Sequence, residues 1–202
     1  MSKPLQIGIT GGIGAGKSVI CRVFHCLGTP VYDADSQAKN LLSTDKVLRQ
    51  QIISHFGEQA YLDSGQVNRK YLATTVFADR EKTAILNKLV HPRVGRDYEN
   101  WLNQNRNVAY VIKEAALLIE SGSYQTLDYL ITVTAPVQER IKRVKLRDPH
   151  RDEQQIREII NLQGSEDAKT EKSDYIIAND NKQLAVPLVL KLHHIFSTPS
   201  QQ

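Results

Sequence analysis

The sequence predicts an α/β protein built on a doubly wound parallel sheet of five strands, with helical additions. Three observations point there. Five short apolar runs alternate with stretches of helical period, a glycine-rich loop separates the first run from the first helix, and the segment 36–95 between the second and third runs is helical in pattern.

The chain of 202 residues is long enough to bury a sizeable core. Its apolar and charged fractions, 41% and 24%, are those of an ordinary globular protein. A formal charge of +4 favours anionic ligands. With no Lys/Arg block and no basic stripe interleaved with aromatics, no nucleic-acid partner is expected. No apolar stretch approaches membrane-spanning length, and Met-Ser-Lys-Pro leads directly into the first strand without a signal peptide. A cytoplasmic protein with no membrane partner is therefore expected. Cys21 and Cys26, five residues apart beside His25, complete no zinc pattern and read as reduced, buried filler.

The first apolar run, Leu5–Thr10, suits a buried strand. Gly11-Gly12-Ile13-Gly14-Ala15-Gly16-Lys17-Ser18 then matches the phosphate-binding loop pattern Gly-x-x-x-x-Gly-Lys-Ser at every position. Glycines let successive backbone N–H groups turn inward around anionic oxygens. The following helix, with Val19, Ile20, Val23, Phe24 and Leu27 at helical spacing, aims its N-terminal dipole at the same place. Lys17 is expected on the β- and γ-phosphates of a nucleoside triphosphate, and Ser18 on Mg²⁺.

Gly28-Thr29 ends that helix, and Pro30-Val31-Tyr32 reads as a second strand running into Asp33-Ala34-Asp35. Carboxylates at a strand's C-terminal end lie where ligands sit in open parallel sheets. Asp35 or Ser36 equally suits an N-cap for a helix starting at Gln37. Helical periodicity continues through Leu41-Leu42, Val47-Leu48 and Ile52-Ile53 to Phe56-Gly57, and Leu62–Gly65 reads as a turn. Asn68 suits a cap for a helix over Arg69–Phe77, Asp79 for one over Arg80–Val90, and Pro92 is expected to interrupt the latter. So long a helical insertion reads as a substrate-covering subdomain.

Val108–Ile112, Tyr129–Thr134 and Tyr175–Ala178 supply the remaining strands. After the fourth, Arg140, Arg143 and Arg147 fall on one helical face, a pattern that suits phosphate contact. Asp152 caps a helix through Gln163 that Gly164 ends, and Leu184–Phe196 forms the last helix before a polar, frayed tail. A guanine-binding Asn-Lys-x-Asp signature is missing, so a small-molecule kinase fits better than a switch GTPase.

At this point the chain resembles the dephospho-CoA kinase family over nearly its whole length. The resemblance rests on the glycine-rich opening, Asp33-Ala34-Asp35, Phe56-Gly57, Gly65-x-Val67-x-Arg69, Leu86-Asn87 with His91-Pro92, Leu117-Leu118-x-Glu120-x-Gly122, the Arg143/Arg147-Asp148 segment, Gln163, Lys169 and Asp174–Asn179. Departures include Glu114-Ala-Ala116 and Ile119, where the family has Asp-x-Pro and Phe; Arg140, where Gln is usual; Asn68, where Asp is usual; and Asn181, where Gly is usual. The resemblance implies a P-loop, adenylate-kinase-like fold and transfer of the ATP γ-phosphoryl group to the ribose 3′-hydroxyl of dephospho-CoA, the last step of coenzyme A biosynthesis. A nucleoside or nucleotide monophosphate kinase is the alternative.

It further implies a division of labour. The core would comprise 1–35, 96–139 and 169–202, the insertion 36–95 would hold the acceptor, and 140–168 would be a lid. Asp33 would act as base or hold a Mg²⁺-bound water, Lys17 and Arg143 would assist catalysis, and Arg140, Arg147 and Asn179 would join the loop in binding ATP. Thr10, Asp35, Arg69, His91, Leu117 and Glu120 would contact the acceptor, although His91 also reads as a cap or packed ring and Arg69 as a surface ion pair. A monomer is expected.

Overall fold

A computed structural model describes residues 3–76 and 79–198. It comprises two compact units, one formed by the residues up to Asp33 together with those from Asn105 onward, the other by Ala34–Gln104.

In the first unit five strands, β1 (Leu5–Thr10), β2 (Val31–Asp33), β3 (Tyr110–Glu114), β4 (Tyr129–Thr134) and β5 (Tyr175–Ala178), form one sheet in the order β2-β3-β1-β4-β5. All pairings are parallel, with Ile7 beside Ile112 on one side and Tyr129 on the other. The chain leaves the central β1 toward β2 and β3, then crosses to β4 and β5. Order therefore reverses at β1, and its C-terminal end is the crevice where open sheets of this kind bind ligands. The runs are short and apolar because each central strand is covered on both faces.

One face of the sheet contributes Ile7, Ile9, Ile112, Ile131 and Ile177 to a core with Ile20 and Phe24 of α1 (Lys17–Cys26) and Val189, Leu192 and Phe196 of α9 (Ala185–Ser197). Each such side chain contributes about 1.5–3 kcal/mol on burial. Beyond β4 the chain forms α6 (Val137–Arg147), α7 (Glu153–Leu162) and the short α8 (Glu166–Thr170). A capping box at Asp152 and Gln155 starts α7. Ile141, Val144 and Ile156 make a small second core, against which Ile13 of the glycine-rich loop and Ile160 pack.

The second unit contains α2 (Ala34–Thr44), α3 (Lys46–Phe56), α4 (Arg69–Val76) and α5 (Arg80–Gln104) around Leu48, Ile52, Phe56, Leu72, Val76, Leu86 and Val90. Asp45 caps α3 by accepting from the Val47 and Leu48 amides at 2.9 and 3.0 Å, and also pairs with Arg93 of α5 at 2.9 Å. Asn68 accepts from the Tyr71 amide at the start of α4, and Asp79 from the Glu81 amide at the start of α5. The expected end of α4 at Phe77 lies outside the described residues, as does the tail beyond Thr198.

Several local expectations change. The single helix expected up to Phe56 is two, α2 and α3, parted at Asp45, and the third strand runs Tyr110–Glu114 rather than 108–112. Helix α2 begins at Ala34, directly after β2, so Asp35 sits inside its first turn and neither Asp35 nor Ser36 is an N-cap. Helix α5 runs through Pro92 to Gln104 rather than stopping there. Val90 before the proline and Tyr98 and Leu102 after it are buried, so packing on both sides holds the helix across the missing N–H. Among the described residues no helix is long and apolar enough to cross a membrane.

Candidate active site

The loop Gly11–Gly16 joins the C-terminal end of β1 to the N-terminus of α1. Gly16 adopts φ +97°, a left-handed conformation that costs glycine little, and the Asn179 amide nitrogen occupies the space a Cβ would need there. At Gly12 a Cβ would run into the Arg140 guanidinium. Glycine is thus demanded by protein neighbours as well as by the phosphates such a loop admits. Lys17 Nζ donates to the Gly11 carbonyl at 3.0 Å and, more weakly, to that of Gly12 at 3.5 Å, which keeps the cation over the loop.

The acidic side of the site stands on neighbouring strands. Ser18 Oγ donates to Glu114 Oε1 at 3.0 Å. Asp33, half-buried, ends β2 and is the register partner of Glu114, which ends β3. Burial pushes the Glu114 carboxyl above the usual glutamate pKa. Hydrogen bonds from Ser18 and Cys21 and the charge of Lys17 pull it down again, and Asp33 adds to the rise. Burial likewise pushes the Cys21 thiol far up, so it serves as a neutral donor to Glu114. Among the described residues no three His, Cys, Asp or Glu side chains cluster as a closed metal cage. Ser18 and Glu114 offer hard oxygen donors at the mouth of the loop, a set that fits Mg²⁺ shared with phosphate oxygens.

The three arginines part company. Arg140 is buried, donates from Nε to the Ile13 carbonyl at 2.9 Å and pairs with Glu166 at 3.3 Å. Burial lowers its pKa and Glu166 opposes that shift. Arg143 reaches the Gly14 and Ala15 carbonyls from Nη1 at 3.5 and 3.4 Å, and the Asn179 carbonyl and Asn181 Oδ1 from Nη2, both at 2.9 Å. Asn179 closes the circuit by donating to the Ala15 carbonyl at 2.8 Å. Arg147 is exposed and pairs with Asp148 at 3.0 Å.

Of the other expected residues in this unit, Thr10 is buried and its hydroxyl donates to the Ala116 carbonyl at 3.3 Å, while Leu117 is exposed. Glu120 accepts from the buried Lys169 at 2.5 Å. Asp35, Arg69 and His91 belong to the helical unit, all exposed, at the start of α2, the start of α4 and the middle of α5. Glu114 earns a place in the site that sequence reasoning did not assign it. The signal was available, since it is an acid at a strand's C-terminal end, the same logic that singles out Asp33. Gln163 and Lys169, which carry part of the family resemblance without a role, meet the glycine-rich loop and Glu120.

A family model described as dephospho-CoA kinase matches residues 5–185. A dephospho-CoA kinase of Bacteroides fragilis is 35% identical over 188 residues, covering 93% of this chain and 91% of the relative. Among solved structures, a Thermus thermophilus protein superposes with TM-score 0.85 at 27% identity, over 98% of this chain and all of that one. A dephospho-CoA kinase from Campylobacter jejuni does so with TM-score 0.69 at 25% identity, over 95% and 96%. With a phosphate-binding loop at the switch point of a parallel sheet and relatives of this kind along its length, the chain is a kinase and belongs to the dephospho-CoA kinase family.

Proposed function

We propose that the chain transfers the γ-phosphoryl group of ATP to the ribose 3′-hydroxyl of dephospho-CoA, releasing coenzyme A and ADP, with Asp33, Lys17, Ser18, Glu114 and Arg143 as the working residues. The observation that carries this assignment is the convergence of Ser18, Glu114 and Asp33 at the end of the loop. In such a transfer the acceptor oxygen forms a bond to the γ-phosphorus as the bond to the β–γ bridging oxygen breaks. Positioning and neutralisation of spread negative charge supply most of the rate.

The loop amides cradle the phosphates, and Lys17, resting on backbone carbonyls, is the mobile cation that meets the β- and γ-oxygens. Ser18 and Glu114 would hold Mg²⁺, which supplies charge neutralisation when bound. Asp33 orients the attacking hydroxyl and receives its proton late in a loose transition state. Arg143 contacts the transferred group, and Asn179 borders the adenine. Arg69 and His91 are the helical unit's candidates for holding the acceptor, within the insertion 36–95, and 140–168 serves as the lid.

An ADP-release assay with ATP and Mg²⁺ tests the assignment, comparing dephospho-CoA with adenosine, AMP and CMP, alongside Asp33→Asn. Turnover confined to dephospho-CoA and lost in the variant is expected. Turnover with a small nucleoside or nucleotide would overturn the acceptor assignment while leaving the kinase core standing.

A further inference from the structure

Ile13, the apex of the phosphate-binding loop, is gripped at three points by the segment that follows β4. Its amide donates to Gln163 Oε1 at 2.7 Å, across 150 residues of sequence. Its carbonyl accepts from Arg140 Nε at 2.9 Å. Its side chain packs against the small core of Ile141, Val144 and Ile156. Gln163 is itself held, because the buried Lys169 donates to its backbone carbonyl and to Glu120, and Glu166 holds Arg140. Both polar groups of the Ile13 backbone are thereby satisfied by the chain alone. A glycine-rich loop otherwise has many accessible backbone conformations and would lose entropy on closing round phosphates.

We propose that Gln163 is a positioning residue for nucleotide binding: through the Ile13 amide it locks the loop in its phosphate-accepting shape before ATP arrives. The α6–α7 segment is then keyed to the loop at Ile13, and Lys169 and Glu120 act on the nucleotide site only through Gln163. This rests on the nucleotide-binding part of the function proposed above, not on the identity of the acceptor.

The test is ADP affinity, measured by calorimetry on the full chain, for wild type and for Gln163→Met, which removes the acceptor but leaves the backbone carbonyl for Lys169. An orphaned, partly buried N–H and a loosened loop are expected to weaken ADP binding about tenfold. The variant's melting temperature without nucleotide should fall by only a few degrees, and the KM for dephospho-CoA should not change while that for ATP rises. Combining Gln163→Met with Ile13→Ala should weaken ADP less than the sum of the two single effects, because both act on one apex.

Unchanged or tighter ADP binding in folded Gln163→Met would overturn the proposal, the tighter case meaning that Gln163 competes with phosphate. If the variant does not fold, hydrogen exchange of the wild-type loop without nucleotide decides: protection at Ile13 supports the lock and free exchange overturns it. Because ADP binding needs no acceptor, these outcomes stay separate from failure of the dephospho-CoA assignment.

Discussion

Asp33 and Glu114 are register partners at the C-terminal ends of adjacent parallel strands, and Glu114 accepts a hydrogen bond from Ser18 at the mouth of the loop. Burial, reinforced by the neighbouring Asp33 charge, keeps the Glu114 pKa above its usual value of 4.5. The folded chain therefore holds this proton more tightly than the unfolded chain. Its contribution to stability is present at low pH and is lost as pH rises from the ordinary glutamate pKa through the raised one. Glu114→Gln removes that loss. The variant should melt higher than wild type at pH 8, with a smaller difference at pH 4.5, while turnover falls about 10–100-fold through a weakened metal site. A variant that melts lower at pH 8 would contradict the assignment.

Arg143 spans four acceptors, the carbonyls of Gly14, Ala15 and Asn179 and the side chain of Asn181. A planar fork can do this and a lysine ammonium cannot. Arg143→Lys should lower kcat by about 10³-fold, the scale on which arginines act in phosphoryl transfer, with little change in the KM for dephospho-CoA. Arg147→Ala should lose much less, since its partner is the adjacent Asp148 on an exposed surface. Steady-state kinetics on both variants decides, and equal losses would return Arg147 to the phosphate site.

The contrast between these arginines shows where sequence reading stops. Helical period puts 140, 143 and 147 on one face, but seven residues also advance about 10 Å along the axis. Arg140 and Arg143 bond to the loop, while Arg147 pairs with Asp148 on an exposed surface. The loop, the five strands and the caps at Asn68, Asp79 and Asp152 are legible because their signals lie within a few residues. Gln163 on the Ile13 amide and Lys169 on Glu120 pair across 150 and 49 residues, and no local pattern encodes them.

Pro92 marks a second limit, where tertiary packing overrides a local breaker. Helix α5 continues across it because Leu86 and Val90 precede it in the core and Tyr98 and Leu102 follow it buried. The proline still denies Lys88 its helical donor and crowds that carbonyl. Pro92→Ala should stabilise the chain by up to about 3 kcal/mol, raising the melting temperature, with slower hydrogen exchange along 88–96. A lower melting temperature would mean that the surrounding packing depends on the proline's shape.

Glu120 poses the sharpest choice between a substrate contact and a structural partner. Its carboxylate meets Lys169 at 2.5 Å, and the lysine side chain is only 4% exposed against 29% for the glutamate. Removing the acid strands a buried ammonium, so Glu120→Leu should cost about 3 kcal/mol. Lys169→Met added to it should recover much of that loss, because an apolar replacement of a buried pair is often neutral. Thermal melts read the stability, and the KM for dephospho-CoA separates the roles. If Glu120 acts only through Lys169, the double variant binds dephospho-CoA as wild type does while its KM for ATP rises. If Glu120 touches the acceptor, the KM for dephospho-CoA stays high even where the melting temperature has returned.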